Sequence, residues 1–118
     1  EREELERLYL QADAVVISSI REGFPLTLME GMVCGCIPIT TDVGAIAEFI
    51  THRHNGWLVG GSGETAVVEG LEEAFTVLAQ DRDLCRWLSE QARQYAVDQF
   101  SPDHFRAAYR TLFGCVDV

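Results

Sequence analysis

Lysine is missing from this sequence altogether: the nine positive residues among its 118 are all arginines. That excludes a Schiff-base lysine, a lysine general base and a phosphate loop of the G-x-x-x-x-G-K-[ST] kind. Positive charge is scarce as well, since 19 acidic residues leave a formal net charge of −10. Such a deficit argues against a nucleic-acid surface and against a polybasic contact with anionic lipid, both of which need clustered positive charge. A small anion remains compatible, because backbone amides at a helix start hold one locally. Cysteine is sparse: Cys34, Cys36, Cys85 and Cys115 are too few and too scattered to staple a secreted fold in a chain that is 47% hydrophobic. Cys34-x-Cys36 falls one residue short of the C-x-x-C spacing, so reduced structural thiols in a cytoplasmic protein are expected. No apolar run approaches the roughly 20 residues of a membrane span, so no transmembrane segment is expected and peripheral association stays open. The opening EREELERLYL is charged and amphipathic, unlike a secretory leader.

What is present alternates between short β-branched runs and helical periodicity. Leu5, Leu8, Tyr9 and Ala12 fall on one face of an amphipathic helix. AVVIS reads as a buried strand, SIREGFP as a loop, and LTLMEGMVCG as a helix with Pro25 at its first position and Gly35 at its end. CIPIT is a second strand. TDVGAIAEFI gives a turn and a short helix with Asp42 as its cap, closed by an Asn55-Gly56 turn. WLV is a third strand, GGSGE a flexible loop, and helices are predicted over 65–80 and 82–100. Ser101-Pro102 opens the last helix as cap and first residue. This order is that of parallel crossover units: an α/β fold, a three-layer Rossmann-like parallel sheet covering residues 1–118 as one partial domain. Three strands make a thin sheet with both edges open, so the chain is expected to be the second half of a doubly wound domain.

The loop SIREGFP stands between the carboxyl end of a strand and a helix start, where unpartnered amides and the helix dipole form an anion site. Gly23 permits close approach, and Pro25 leaves the amides of Leu26 and Thr27 without intrahelical partners. Glu22 sits at the helix mouth, with Glu30 roughly 7 Å further along the axis at helical rise. Carboxylates so spaced suit the hydroxyls of a polyhydroxylated ligand on either side of its phosphates. The plainer reading is a charge favourable to the dipole at Glu22 and a solvated helix face at Glu30. Spacing alone leaves both open.

The stretch ADAVVISSIREGFPLTLMEGMVCGCIPITTDVGAIAEFI with HNGWLV resembles the carboxy-terminal domain of retaining GT-B glycosyltransferases of the glycosyltransferase family 4 type. Glu22 and Glu30 match the family's E-x7-E element, EGFP its opening, and Gly35 to Pro38 its Gly-x-Pro strand entry. Asp42, Gly44 and Glu48 match a further segment, and Asn55-Gly56 its Asn-Gly turn. The resemblance covers about residues 12 to 113. It implies a nucleotide-diphosphate sugar donor, with Glu22 at the donor sugar near the reacting carbon as the catalytic residue. Gly23, Phe24, Pro25, Leu26 and Thr27 would meet the sugar and diphosphate, and Glu30 the ribose hydroxyls. No metal and no cofactor are implied. The residues that neutralise the diphosphate and the acceptor-binding domain would lie upstream, so the fragment alone is expected to be inactive. A non-catalytic interaction module on the same fold is the alternative.

Ser18, Gly31, Val33 and Ala45 depart from the family pattern by small-for-small changes that bear on donor preference and local packing. His52, His54, His104 and Arg21 read as surface residues. Trp57, Trp87, Phe75, Phe100, Phe105 and Tyr109 read as core and helix-packing residues, with part of the last helices' apolar face uncovered.

Overall fold

A computed structural model describes residues 1–114, with Phe105 described in its backbone only; the expectation for Cys115 and that for the Phe105 side chain lie outside the described residues. The elements in chain order are α1 (Arg2–Gln11), β1 (Ala14–Ile17), α2 (Leu26–Val33), β2 (Ile37–Thr41), α3 (Ile46–Phe49), β3 (Trp57–Val59), α4 (Glu64–Gln80), α5 (Arg82–Gln99) and α6 (Pro102–Phe113). The three strands are parallel in the order β1-β2-β3, with Ala14 paired to Ile37 and Ile39 to Trp57. All five residues of β2 are buried, as a central strand with helices on both faces requires.

Alternation along the strands divides the core in two. Ile37, Ile39, Trp57 and Val59 pack with Ala74 and Leu78 of α4 on one face. On the other face Val15, Ile17 and Leu58 meet Leu28 and Met32 of α2, with Ile46 and Ile50 from α3 and its end. Helix α5 joins both clusters: Cys85 and Leu88 belong to the first, Ala92 and Ala96 to the second. Its Ser89 hydroxyl donates to the Gly35 carbonyl at 2.6 Å, tying α5 to the turn between α2 and β2. The result is the expected three-layer parallel α/β fold.

Several local expectations need correction. Strand β1 is not fully buried: Val16 is 42% exposed, because α4 and α5 cover β2 and β3 but stop short of this edge. Only Tyr9 of α1 is buried, while Leu5 and Leu8 stay exposed with nothing among the described residues to cover them. Pro25 occupies the cap position with extended backbone rather than the first helical one, and α2 starts at Leu26 as read. Asp42 caps nothing; α3 has no side-chain cap at its start, where Ala45 stands. At its other end Asn55 is buried, accepting from the Thr51 amide at 2.7 Å and donating to the Phe49 carbonyl at 2.9 Å, so it satisfies groups left over by the short helix. The left-handed residue of that turn is Arg53 (φ 60°), whose guanidinium lies over the Trp57 ring at 5.1 Å.

Trp57 is buried and Phe100 partly buried, but Phe75, Trp87 and Tyr109 are exposed, against expectation. Phe75 and Trp87 stand on α4 and α5, whose inner faces are already filled by Ala74 and Leu78 and by Leu88, Ala92 and Ala96, while Tyr109 stands on α6, which buries no residue among those described. Helix α6 opens as predicted, with Ser101 Oγ accepting from the His104 amide and Pro102 in the first turn. It has no buried residue among those described, and Leu112 and Phe113 are exposed. The Cα radius of gyration of 15.6 Å exceeds the roughly 13.5 Å of a compact chain of this length, in keeping with uncovered elements at the periphery.

Candidate functional site

The loop between β1 and α2 emerges at the carboxyl end of the sheet and is pinned from below by the next loop. Thr41, the last residue of β2, donates its hydroxyl to the Ser19 carbonyl at 2.6 Å. Ser19 in turn donates its own hydroxyl to Glu22 Oε1 at 2.8 Å, which fixes the partly buried carboxylate over the strand ends. Gly44, at φ 57°, lies against the backbone of Glu22 and Gly23; a Cβ there would overlap the Glu22 carbonyl oxygen. The two loops therefore meet main chain to main chain, which only a glycine allows. Phe24 turns inward: its ring packs on Phe49 and Phe100 at centroid distances of 4.5 and 5.4 Å, closing a three-ring cluster. With that ring buried in packing, the backbone after it is delivered to the helix start.

At that start the Leu28 amide bonds the Pro25 carbonyl, while Leu26 and Thr27, both exposed, present the first two amides of α2 with no intrahelical acceptor. Gly23 is exposed beside them and a Cβ there would meet nothing within 4 Å, so it leaves room rather than filling a contact. Gly31, one of the departures from the family pattern, stands where a Cβ would run into Val15 Cγ2; it lets α2 lie close on β1.

Glu30 is held differently. The buried Tyr9 hydroxyl donates to Glu30 Oε2 at 3.2 Å from α1. Burial, reinforced by the Glu30 hydrogen bond and charge, pushes the Tyr9 phenol above its usual pKa, so it stays protonated and a donor. Tyr9 is anchored at its other end too, its carbonyl accepting from Cys36 Sγ at 3.0 Å. Glu30 and Tyr9 line a cavity of about 390 Å³ between α1 and α2, with Arg2, Leu26, Met29 and Phe100 among its walls. Glu22 is not among its lining residues. The structure thus places both glutamates along one loop-and-helix unit, but only Glu30 on the cavity.

The remaining expectations sort simply. His52, His54, His104 and Arg21 are exposed, though His52 Nδ1 accepts from the Leu58 amide at 3.1 Å and so braces the turn before β3. Cys34, Cys36 and Cys85 are free thiols. Among the described residues no helix is long and apolar enough to cross a membrane. Ser19, Thr41 and Tyr9 were not picked out as site residues in the sequence. Tyr9 had a readable signal, because a tyrosine on a buried helix face needs a partner for its hydroxyl.

A parallel α/β layer whose strand-to-helix loop carries free amides and a carboxylate at the sheet's carboxyl end has the build of a doubly wound unit, the fold type in which ligands bind at that end. Residues 1–95 match the family described as glycosyl transferases group 1. The chain belongs to that family, and its fold is that of a GT-B glycosyltransferase C-terminal domain. It is 32% identical over 106 residues to the N-acetyl-alpha-D-glucosaminyl L-malate synthase of Bacillus anthracis, covering 90% of this chain and 27% of the relative. The C-terminal domain of a group 1 glycosyl transferase from Francisella tularensis superposes with a TM-score of 0.75 at 25% identity, covering 86% of this chain and 50% of that domain. An Anabaena protein, HepE, solved in complex with UDP-glucose, shares the fold with a TM-score of 0.76 at 23% identity over 92% of this chain and 29% of its own. The chain spans about a quarter of the length of the curated relatives it matches, 27% of the first and 25% of the second.

Proposed function

We propose that this chain is the donor-binding part of a retaining glycosyltransferase that moves a sugar from a nucleotide-diphosphate donor to an acceptor. The observation that carries the reading is the arrangement at the β1-to-α2 loop: Glu22, fixed by Ser19, stands beside the unpartnered amides of Leu26 and Thr27, with Glu30 a helical turn beyond. The amides take part of the diphosphate charge as the bond from the anomeric carbon to the leaving phosphate breaks and one to the acceptor forms with the same configuration. Glu22 is the catalytic residue in this reading, holding donor-sugar hydroxyls next to the reacting carbon. Gly23, Phe24, Pro25, Leu26 and Thr27 meet sugar and diphosphate through their backbone, and Glu30 accepts from the ribose hydroxyls. No metal or cofactor takes part.

By the family resemblance, the reading assigns the basic groups that neutralise the diphosphate to residues upstream of the matched stretch and the acceptor site to a domain further upstream, and leaves the 118 residues inactive alone. The location that goes with it is the cytoplasm, with peripheral attachment to a membrane compatible.

Isothermal titration of the full-length protein with UDP-glucose, GDP-mannose and ADP-glucose tests the binding half of the reading. One donor should bind, and Glu30→Ala should weaken it about tenfold or more, as loss of a charge-assisted bond implies. Failure of every nucleotide sugar to bind, or binding indifferent to Glu30, would sink it. NMR of the product's anomeric configuration decides retention against inversion.

A further inference from the structure

We propose that Tyr9 is the positioning residue for Glu30, holding one carboxylate oxygen so that the other is left to accept from the ligand. The inference rests on the reading of Glu30 as the acceptor for ribose hydroxyls, and it adds a residue from a different element.

Glu30 is half-buried at the mouth of the cavity between α1 and α2, where an unsupported glutamate samples several rotamers and loses that freedom on binding. Tyr9 removes much of the loss in advance. Its hydroxyl donates to Oε2 at 3.2 Å, while Oε1 accepts no hydrogen bond among the described residues. The tyrosine is itself held: it is 9% exposed, its ring has only two rotatable bonds, and its carbonyl is tied to Cys36 Sγ at 3.0 Å. Cys36 opens into β2, the most buried strand, so the constraint on Glu30 reaches back to the centre of the fold. Both residues face one cavity between α1 and α2, so the free oxygen belongs to a carboxylate that a ligand in that cavity can reach. As the phenol stays protonated, it supplies a donor and no competing negative charge.

The test is a double-mutant cycle in the full-length protein. Wild type, Tyr9→Phe, Glu30→Gln and the double variant are titrated with whichever of UDP, GDP and ADP binds, and with its 2′,3′-dideoxy analogue. Tyr9→Phe keeps the ring and deletes only the donor. It should weaken the ribonucleotide about fivefold, which is one neutral-to-charged hydrogen bond's worth of preorganisation, and the dideoxy analogue less than about twofold. On the Glu30→Gln background it should add almost nothing. Equal losses on both ligands would mark a merely structural tyrosine and overturn the proposal. So would an unchanged ribonucleotide affinity in Tyr9→Phe beside a weakened one in Glu30→Gln, a result that leaves the donor site itself standing. If Glu30→Gln also binds as wild type, the donor-site reading falls with it.

Should Tyr9→Phe not fold, fluorotyrosine labelling of the wild type gives the same decision. With the label placed at position 9 alone, the single resonance should move on adding the ribonucleotide and hardly move with the dideoxy analogue. Equal movement, or none with either, overturns the proposal.

Discussion

Glu22 and Glu30 stand eight positions apart on one loop-and-helix unit, yet they are supported by opposite means. The Glu22 loop is held from the neighbouring strand end, by the Thr41 hydroxyl on the Ser19 carbonyl and by Gly44 pressed on the Glu22 backbone. Glu30 is held from the flank, by one side-chain bond from α1, a helix that buries a single residue. One carboxylate is therefore built into the carboxyl ends of the sheet, and the other depends on an element that the described chain barely covers. A rigid first carboxylate suits a group that must stand beside a reacting carbon, where misplacement is costly. A flanking second one suits a group that grips a part of the ligand remote from the chemistry.

The contrast breaks most sharply at Gly44. Gly44→Ala puts a Cβ into the Glu22 carbonyl at a left-handed φ, and should destabilise the protein by at least about 3 kcal/mol, read as a lowered urea midpoint. A midpoint within experimental error of wild type would show that the two loops are not locked together. Next in size is Phe24→Ala, which opens the Phe24, Phe49 and Phe100 cluster; a partly buried ring there is worth about 2 kcal/mol by denaturant unfolding. Ser19→Ala removes only the bond to Glu22 Oε1. It should cost about 1 kcal/mol of stability and, in the full-length protein, lower kcat more than donor affinity, separating placement of Glu22 from holding of the loop.

The smallest effect sharpens the Glu30 side. A phenol raised above its unfolded pKa adds stability that is complete below the unfolded value and is lost as pH rises through the folded one. The urea midpoint of wild type should therefore fall more steeply than that of Tyr9→Phe above about pH 10, the unperturbed tyrosine range. Parallel pH profiles would show that neither burial nor the Glu30 contact raises the Tyr9 phenol.

Much of this comparison could be read from the residues. The β-branched runs, the helical spacing over 65–100 and the Ser101-Pro102 cap located nearly every element, because each is fixed by neighbours within a few positions. The loop SIREGFP with Glu22, and Glu30 in the helix after it, stood out for the same reason: amides freed by Pro25 and carboxylates at fixed spacing are local facts. What was hidden depends on distant partners. Nothing near Gly44 in the sequence says that it rests on Glu22, and nothing in Leu5 or Leu8 says that no other described element covers them. Asn55 read as a turn residue because Asn-Gly is a turn signal, whereas its side chain is consumed by the backbone at the end of α3. Phe75 and Trp87 read as core because aromatics usually are; alanines occupy the inner stripes of their helices instead.

If the two glutamates serve different parts of one donor, a nucleotide without its sugar separates them. The affinity of the full-length protein for the nucleoside diphosphate alone, measured by titration for wild type, Glu22→Gln and Glu30→Ala, is the direct test. Glu30→Ala should lose about tenfold or more while Glu22→Gln stays within about twofold of wild type. Equal losses in both variants, or a loss confined to Glu22→Gln, would contradict it.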